Sequence, residues 1–170
     1  MSSSLKNQNI QPDASTLRAF RDALGRFTTG VTLITTQTPN GPAGFTANSF
    51  ASVSLDPALV LWSAARSSAR YPIFAAAQTY SIHILAQDQA DLATRFARGG
   101  AGFEGLTSEV SVDGNPIIAD ALARFDCHQF ATHDGGDHLI ILGRVIQFAL
   151  RDDDPLVFSQ GNFGRFSSAL

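Results

Sequence analysis

Two long segments in the C-terminal half, Ala121 to Thr132 and His138 to Leu150, read as β-strands. They are separated only by His133-Asp134-Gly135-Gly136-Asp137. A link this short and this rich in Gly and Asp reverses the chain tightly, so the two segments are expected to pair antiparallel as one long hairpin. Any fold for this chain has to be built around that ribbon.

The remaining segments extend the same theme. Val31-Thr32-Leu33-Ile34-Thr35-Thr36 is β-branched and reads as a strand, and Thr38-Pro39-Asn40-Gly41-Pro42 is a dense turn signal with a return strand after it at Ala43 to Thr46. Ser52 to Leu55 is a short strand stopped by Asp56-Pro57. The nearly continuous apolar run from Ala58 to Ser63 reads as a strand covered on both faces. Tyr80 to Leu85 alternates, and Leu156-Val157-Phe158 closes the strand set before the tail that carries Gly161 to Phe166. Helical signals are few. From Ser15, Leu17, Phe20, Leu24 and Phe27 recur at spacings of three and four, with Asp13 or Ser15 as the cap and Gly30 as the stop, which predicts an amphipathic helix packed on the core. Tyr71 to Ala77, with Pro72 in its first turn, and a segment from Asp88 through Phe96 to Gly99-Gly100 read as two further helices. Hairpins dominate and strand–helix alternation is missing, so the expected class is mainly β: an antiparallel β-barrel with short helices at its ends.

A chain of 170 residues suits a single domain, here residues 15–170 after a polar, flexible tail at residues 1–14. Charged residues make up 16% and the formal net charge is −3, which gives no general attraction to nucleic acid or an anionic membrane. No apolar run approaches bilayer length, the N-terminus has no signal-peptide core, and the lone Cys127 forbids an internal disulfide and reads as a small buried residue. A soluble, cytoplasmic protein is expected.

The chain lacks a G-x-G-x-x-G after a strand, a Walker A sequence and a G-x-S-x-G elbow, which removes the standard dinucleotide, P-loop and α/β-hydrolase readings. His128, His133 and His138 recur every five residues across a hairpin. That spacing does not converge on a metal as i, i+4 helical ligands do, so no metal site is expected, and His128 and His133 read as surface residues.

Three polar clusters remain. Thr46-Ala47-Asn48-Ser49 is small, uncharged and polar, able to approach a planar ring and offer it donors and acceptors, as a flavin requires. The plain alternative is a loop satisfying its own backbone. Ser67-Ser68-Ala69-Arg70 lies between a buried strand and a helix start, where free N–H groups, hydroxyls and a guanidinium suit a phosphate; its plain alternative is a helix cap with a solvated arginine. His138, after Gly135-Gly136-Asp137, opens a strand where it would meet a second ligand or merely end a turn.

In this order and spacing, Phe20 to Val31, Thr46 to Pro57, Ala65-Arg66-Ser67-Ser68, Gly136-Asp137-His138 and Gly161 with its aromatic tail resemble the flavin reductase-like family over about Phe20 to Phe166. The resemblance implies an FMN-binding split barrel, usually a homodimer. It implies FMN or FAD with its ring beside Thr46, Ala47, Asn48 and Ser49, next to Ser63 and Ala65 on the following strand, and its phosphate near Ser67, Ser68 and Arg70. A segment from Phe96 to Phe103 would reach over the flavin, either from the same chain or from the partner subunit. His138 would lie by the nicotinamide of NADH or NADPH, with Phe163 and Arg165 completing that pocket. Two departures stand out: Gly102 precedes Phe103 where relatives often carry Lys, and the tail holds Phe158 and Phe163 where relatives are often rich in Tyr and Arg. The implied activity is hydride transfer from the nicotinamide to a flavin that then diffuses to a partner monooxygenase. Three alternatives stay open: a flavin- or haem-binding split barrel without reductase activity, a flavoenzyme acting directly on an organic substrate, and a metal-dependent hydrolase built on the histidines.

Overall fold

The computed structural model describes residues 9–99, 102–106 and 109–168. The expected N-terminal tail lies largely outside them, as does the centre of the loop after the third helix. Elements follow in the order α1 (Leu17–Leu24), β1 (Thr29–Gly30), β2 (Thr32–Thr38), β3 (Gly41–Ala47), β4 (Ala51–Leu55), β5 (Ala58–Ala65), α2 (Tyr71–Ala76), β6 (Thr79–Ile84), α3 (Ala90–Ala97), β7 (Ala123–Gly135), β8 (His138–Leu150), β9 (Leu156–Ser159) and β10 (Asn162–Arg165).

β7 and β8 form the expected ribbon, antiparallel from Ala123↔Leu150 to Gly135↔His138, with bulges after Asp126 and Gln129. Its turn is tighter than the sequence suggested: only Gly136 and Asp137 lie between the strands, and Gly136 takes φ 73°, a conformation that suits glycine. Around the ribbon a seven-stranded antiparallel sheet runs in the order β3-β2-β6-β7-β8-β5-β4.

The edge strands β3 and β4 are consecutive in the chain and joined only by Asn48, Ser49 and Phe50. Seven strands laid flat at roughly 4.8 Å spacing would separate the edges by about 29 Å. Four Cα steps reach at most roughly 14 Å. The sheet must therefore roll up, bringing its edges together without pairing them. The resulting split falls at the Asn48–Phe50 link.

Trp62 fills the barrel, fully buried, with the rings of Phe45, Phe74 and Tyr80 at 5.6, 5.6 and 5.9 Å. A second core of Val31, Leu33, Leu85, Ala93, Phe96, Ile118 and Leu156 joins α3 and β9 to the sheet. There the Phe96 ring lies against Gly44 and Gly102, where a Cβ would meet it at 2.3 and 2.2 Å. Cys127 is buried in the first core, as expected. His83, also fully buried, donates from Nδ1 to the Leu33 carbonyl (3.0 Å) and accepts the Ile118 N–H at Nε2 (3.2 Å), so its neutral form is matched on both nitrogens.

Two expectations fail. The helix α1 stops at Leu24, and none of its residues is buried; Leu17, Phe20 and Leu24 are 58%, 45% and 60% exposed. Its apolar stripe is real, but the protomer's own core is already closed by the rolled sheet and α3, so the stripe finds nothing to cover it within the chain. The C-terminal tail, in turn, is not irregular. β10 pairs with β9, and β9 with β1, in a small second sheet that the short, mixed sequence of Asn162–Arg165 did not announce.

Candidate functional site

The split is pinned from one side by a hydroxyl. Ser49 Oγ accepts the backbone N–H of Ser63 (2.9 Å) and donates to the Ser63 carbonyl (3.2 Å), fastening the β3–β4 link to β5. Two residues on, Ala65 is the register partner of His138 at the start of β8. Residues two apart on a strand share a face, so Ser49, Ser63, Ala65 and His138 follow one another along one end of the barrel. These sequence-expected residues are thus brought together.

His138 is oriented by its neighbour. Its Nδ1 lies 2.7 Å from Asp137 Oδ1; a carboxylate only accepts, so Nδ1 carries the proton and Nε2 is left for another partner. The same bond is the main reason the Asp137 carboxyl is held below its ordinary range, with a small contribution from the positive charge of Arg21 on α1. The turn itself is clamped by Arg66. Its backbone N–H reaches the Asp137 carbonyl (2.9 Å), and its guanidinium reaches the Gly136 carbonyl (3.1 Å), Asp134 (2.6 Å) and the Tyr71 hydroxyl (2.8 Å). Arg66 is therefore engaged rather than solvated.

A cavity of about 790 Å³ opens at the split. Asn48, Ser49 and Thr29 supply one wall, Arg21 and Arg26 of the α1 region another, and Phe158 and Gln160 of the β9–β10 hairpin a third. The Thr29 hydroxyl is buried with no hydrogen-bond partner. A buried, unpaired hydroxyl is costly unless a ligand completes it. Beside Asn48, it gives this wall both donors and acceptors without charge, the set that the carbonyls and N3–H of a flavin ring require. The residues fit that ring.

Most of the other expected residues have partners of their own. The Thr46 hydroxyl turns away to the Ala93 carbonyl of α3 (2.9 Å), and Ala47 is buried in the core, its carbonyl accepting from Thr32 (2.7 Å). Ser67 is exposed, while Ser68 Oγ accepts the Arg70 N–H (3.3 Å) in an ordinary local turn. Arg70 donates to the carbonyls of Phe96 and Ala97 at the end of α3, where a cation complements the helix dipole. Burial pulls its pKa down from the usual arginine range. Phe96 is 1% exposed, so its ring serves the core; Phe103, partly buried and edge-on to it at 4.8 Å, is the aromatic that this segment presents. Arg70 and Phe103 do share a cavity, a second one of about 350 Å³ beside Pro42 and Gly44. Phe163 packs on Phe158 (5.6 Å), and Arg165 lies exposed at the end of β10.

Thr29, Arg21, Arg26 and Gln160 escaped the sequence reading. Nothing in their spacing marks them, because the cavity they line is closed by segments more than a hundred residues apart. Of the histidines, His128 pairs with Asp113 (3.1 Å) and His133 is exposed on the hairpin. No group of three potential metal ligands converges among the described residues.

The model of the flavin reductase like domain matches residues 24–167. The FMN reductase (NADH) SmoA of Agrobacterium fabrum is 56% identical over 156 residues, covering 92% of this chain and 90% of that protein. The reductase component of the flavin-dependent trigonelline monooxygenase of Acinetobacter baylyi is 48% identical over 134 residues, covering 78% of this chain and 43% of that protein. Among solved structures, the Streptomyces globisporus NADH:FAD oxidoreductase SgcE6 in complex with NAD and FAD fragments superposes with a TM-score of 0.87 at 33% identity, covering 95% of this chain and 99% of that one. A mainly β, rolled and split antiparallel sheet, a polar cavity at the split and a family match over most of the length agree: the chain belongs to the flavin reductase-like family.

Proposed function

We propose that the protein is an NADH-dependent flavin reductase that reduces FMN or FAD and releases it to a partner monooxygenase. The observation that carries this reading is the unpartnered Thr29 hydroxyl beside Asn48 and Ser49 at the barrel split, with the Asp137–His138 pair at the same end. Relatives named as an NADH-dependent FMN reductase and as a monooxygenase reductase component support it.

When bound, a flavin supplies a hydride acceptor at N5 for the nicotinamide C4. The protein's contribution is positional, since two stacked rings need register more than proton transfer. Thr29, Asn48 and Ser49 hold the polar edge of the flavin. Ser67, Ser68 and Arg70 lie towards its phosphate, with Arg70 acting chiefly through its hold on α3. Phe103 covers that end, and Phe96 supports Phe103 from the core. Ser63 and Ala65 form the strand beneath. His138, held by Asp137 and by the Arg66 clamp, places the nicotinamide from the opposite side with Phe163 and Arg165. No nucleophile is required. A site with few charges on the flavin also suits release of the product.

The exposed apolar stripe of α1, together with Ile146, Phe148 and Leu150 on the free end of β8, supports a homodimer. The single buried cysteine suits a reducing cytoplasm. Among the described residues no helix is long and apolar enough to cross a membrane.

The test is a matrix of NADH or NADPH against FMN, FAD and riboflavin, followed at the nicotinamide absorbance band, with sedimentation velocity alongside. Flavin-dependent NADH loss and a dimer are expected. A protein that consumes no dinucleotide with any flavin overturns the assignment.

A further inference from the structure

The β9–β10 turn stores strain beside the cavity. Gln160 and Gly161 both have positive φ, 50° and 82°, the geometry of a two-residue hairpin turn that favours Asn, Asp or Gly at its first position. Glutamine is a poor choice there, and strained residues that persist at cavities are often functional. The backbone is held firmly in place. The Gln160 N–H donates to the Gly25 carbonyl (2.9 Å), and the Gln160 carbonyl accepts from Asn162 Nδ2 (3.1 Å). The residue lines the main cavity, where its exposed side-chain amide is free of hydrogen bonds to other described residues and open to a ligand.

Resting on the reductase reading, we propose that Gln160 is a specificity-determining residue that recognises the carboxamide of the nicotinamide ring. A primary amide offers a donor and an acceptor in one plane, the complement of another primary amide. The other polar groups of the cavity divide differently. Arg21 and Arg26 suit the dinucleotide's phosphates, with Asp22 between them, whereas Thr29, Asn48 and Ser49 belong to the flavin edge. Gln160 is the neutral bidentate group that the β9–β10 hairpin brings to the cavity.

The test compares the wild type with Gln160→Gly and Gln160→Asn, using NADH and reduced 3-acetylpyridine adenine dinucleotide, whose methyl replaces the amide NH2. Glycine relieves the positive φ, so Gln160→Gly is expected to melt at or above the wild-type temperature. Its KM for NADH should rise about tenfold while its KM for FMN stays put. The wild type should prefer NADH to the analogue, Gln160→Gly should lose most of that preference, and Gln160→Asn should fall between. Taking the preference as a ratio between variants cancels the analogue's intrinsic reactivity. Unchanged discrimination in Gln160→Gly, or a change confined to the flavin KM, overturns the assignment to Gln160 while leaving the reductase reading intact. A wild type that oxidises neither dinucleotide overturns both.

Discussion

His83 should make the fold acid-labile in a measurable and isolated way. Both its ring nitrogens are used in the neutral form, Nδ1 donating to Leu33 and Nε2 accepting from Ile118. Protonation would set a second N–H against the Ile118 N–H inside a fully buried site. Burial is the main cause that lowers its pKa to about 4; the charge of Arg124, its register partner on β7, pushes the same way, while the bond to Leu33 opposes. Arg124 itself faces Asp126 at 3.3 Å, so the local charges are paired in the native state. A folded pKa depressed from 6.5 to about 4 means that the unfolded chain binds the extra proton between those values. The associated stability is complete above about pH 6.5 and is lost as pH falls towards 4. The span corresponds to on the order of 3 kcal/mol. Urea unfolding of the wild type and His83→Gln across pH 7.5 to 4.5 isolates this effect, because the other titrating groups are common to both and cancel in the difference. At pH 7.5 the variant should be less stable by about 1–3 kcal/mol. As the pH falls the wild type should lose on the order of 3 kcal/mol relative to the variant, so that the gap closes or changes sign. A gap that stays constant across that range refutes the reasoning.

Other outcomes follow from the packing and the site. Gly44→Ala drives a Cβ into the Phe96 ring and should cost about 1–3 kcal/mol, read as a lower urea midpoint. Neutralising Arg21 and Arg26 as Gln should raise the KM for NADH with little change in kcat and flatten its dependence on ionic strength. His138→Ala should slow hydride transfer without abolishing it, since the ring positions rather than reacts. Single-turnover reduction that falls to the background rate while NADH still binds would contradict that role. Arg66→Ala frees the Gly136–Asp137 turn and should weaken NADH binding more than flavin binding in equilibrium titrations.

Much of the architecture is legible in the sequence because it is local. The β7–β8 ribbon, the β2–β3 hairpin and the apolar β5 follow from turn residues and short-range pattern, and three of the six pairings in the large sheet (β2–β3, β4–β5 and β7–β8) join strands linked directly by short turns, where that pattern can act. The Asn48–Ser49 loop and His138 were visible for the same reason. What the sequence hides is long-range. The α1 stripe predicts a buried helix, yet burial depends on what lies opposite, and periodicity carries no information about that. Arg70 looks like a phosphate ligand until the end of α3 arrives to take its donors. Phe96 looks like a lid until Gly44 and Gly102 make a slot for its ring. Thr29 and Gln160 acquire meaning only when β1 and β9 pair, because that contact closes the cavity.

The central claim is that the barrel split holds a flavin and a nicotinamide together only transiently. Anaerobic rapid mixing of the purified protein and FMN with stoichiometric NADH, followed by ultrafiltration, tests it most directly. The flavin absorbance should bleach in step with NADH loss, and the reduced flavin should pass into the filtrate. Flavin that stays oxidised, or reduced flavin that stays wholly with the protein, would contradict the account.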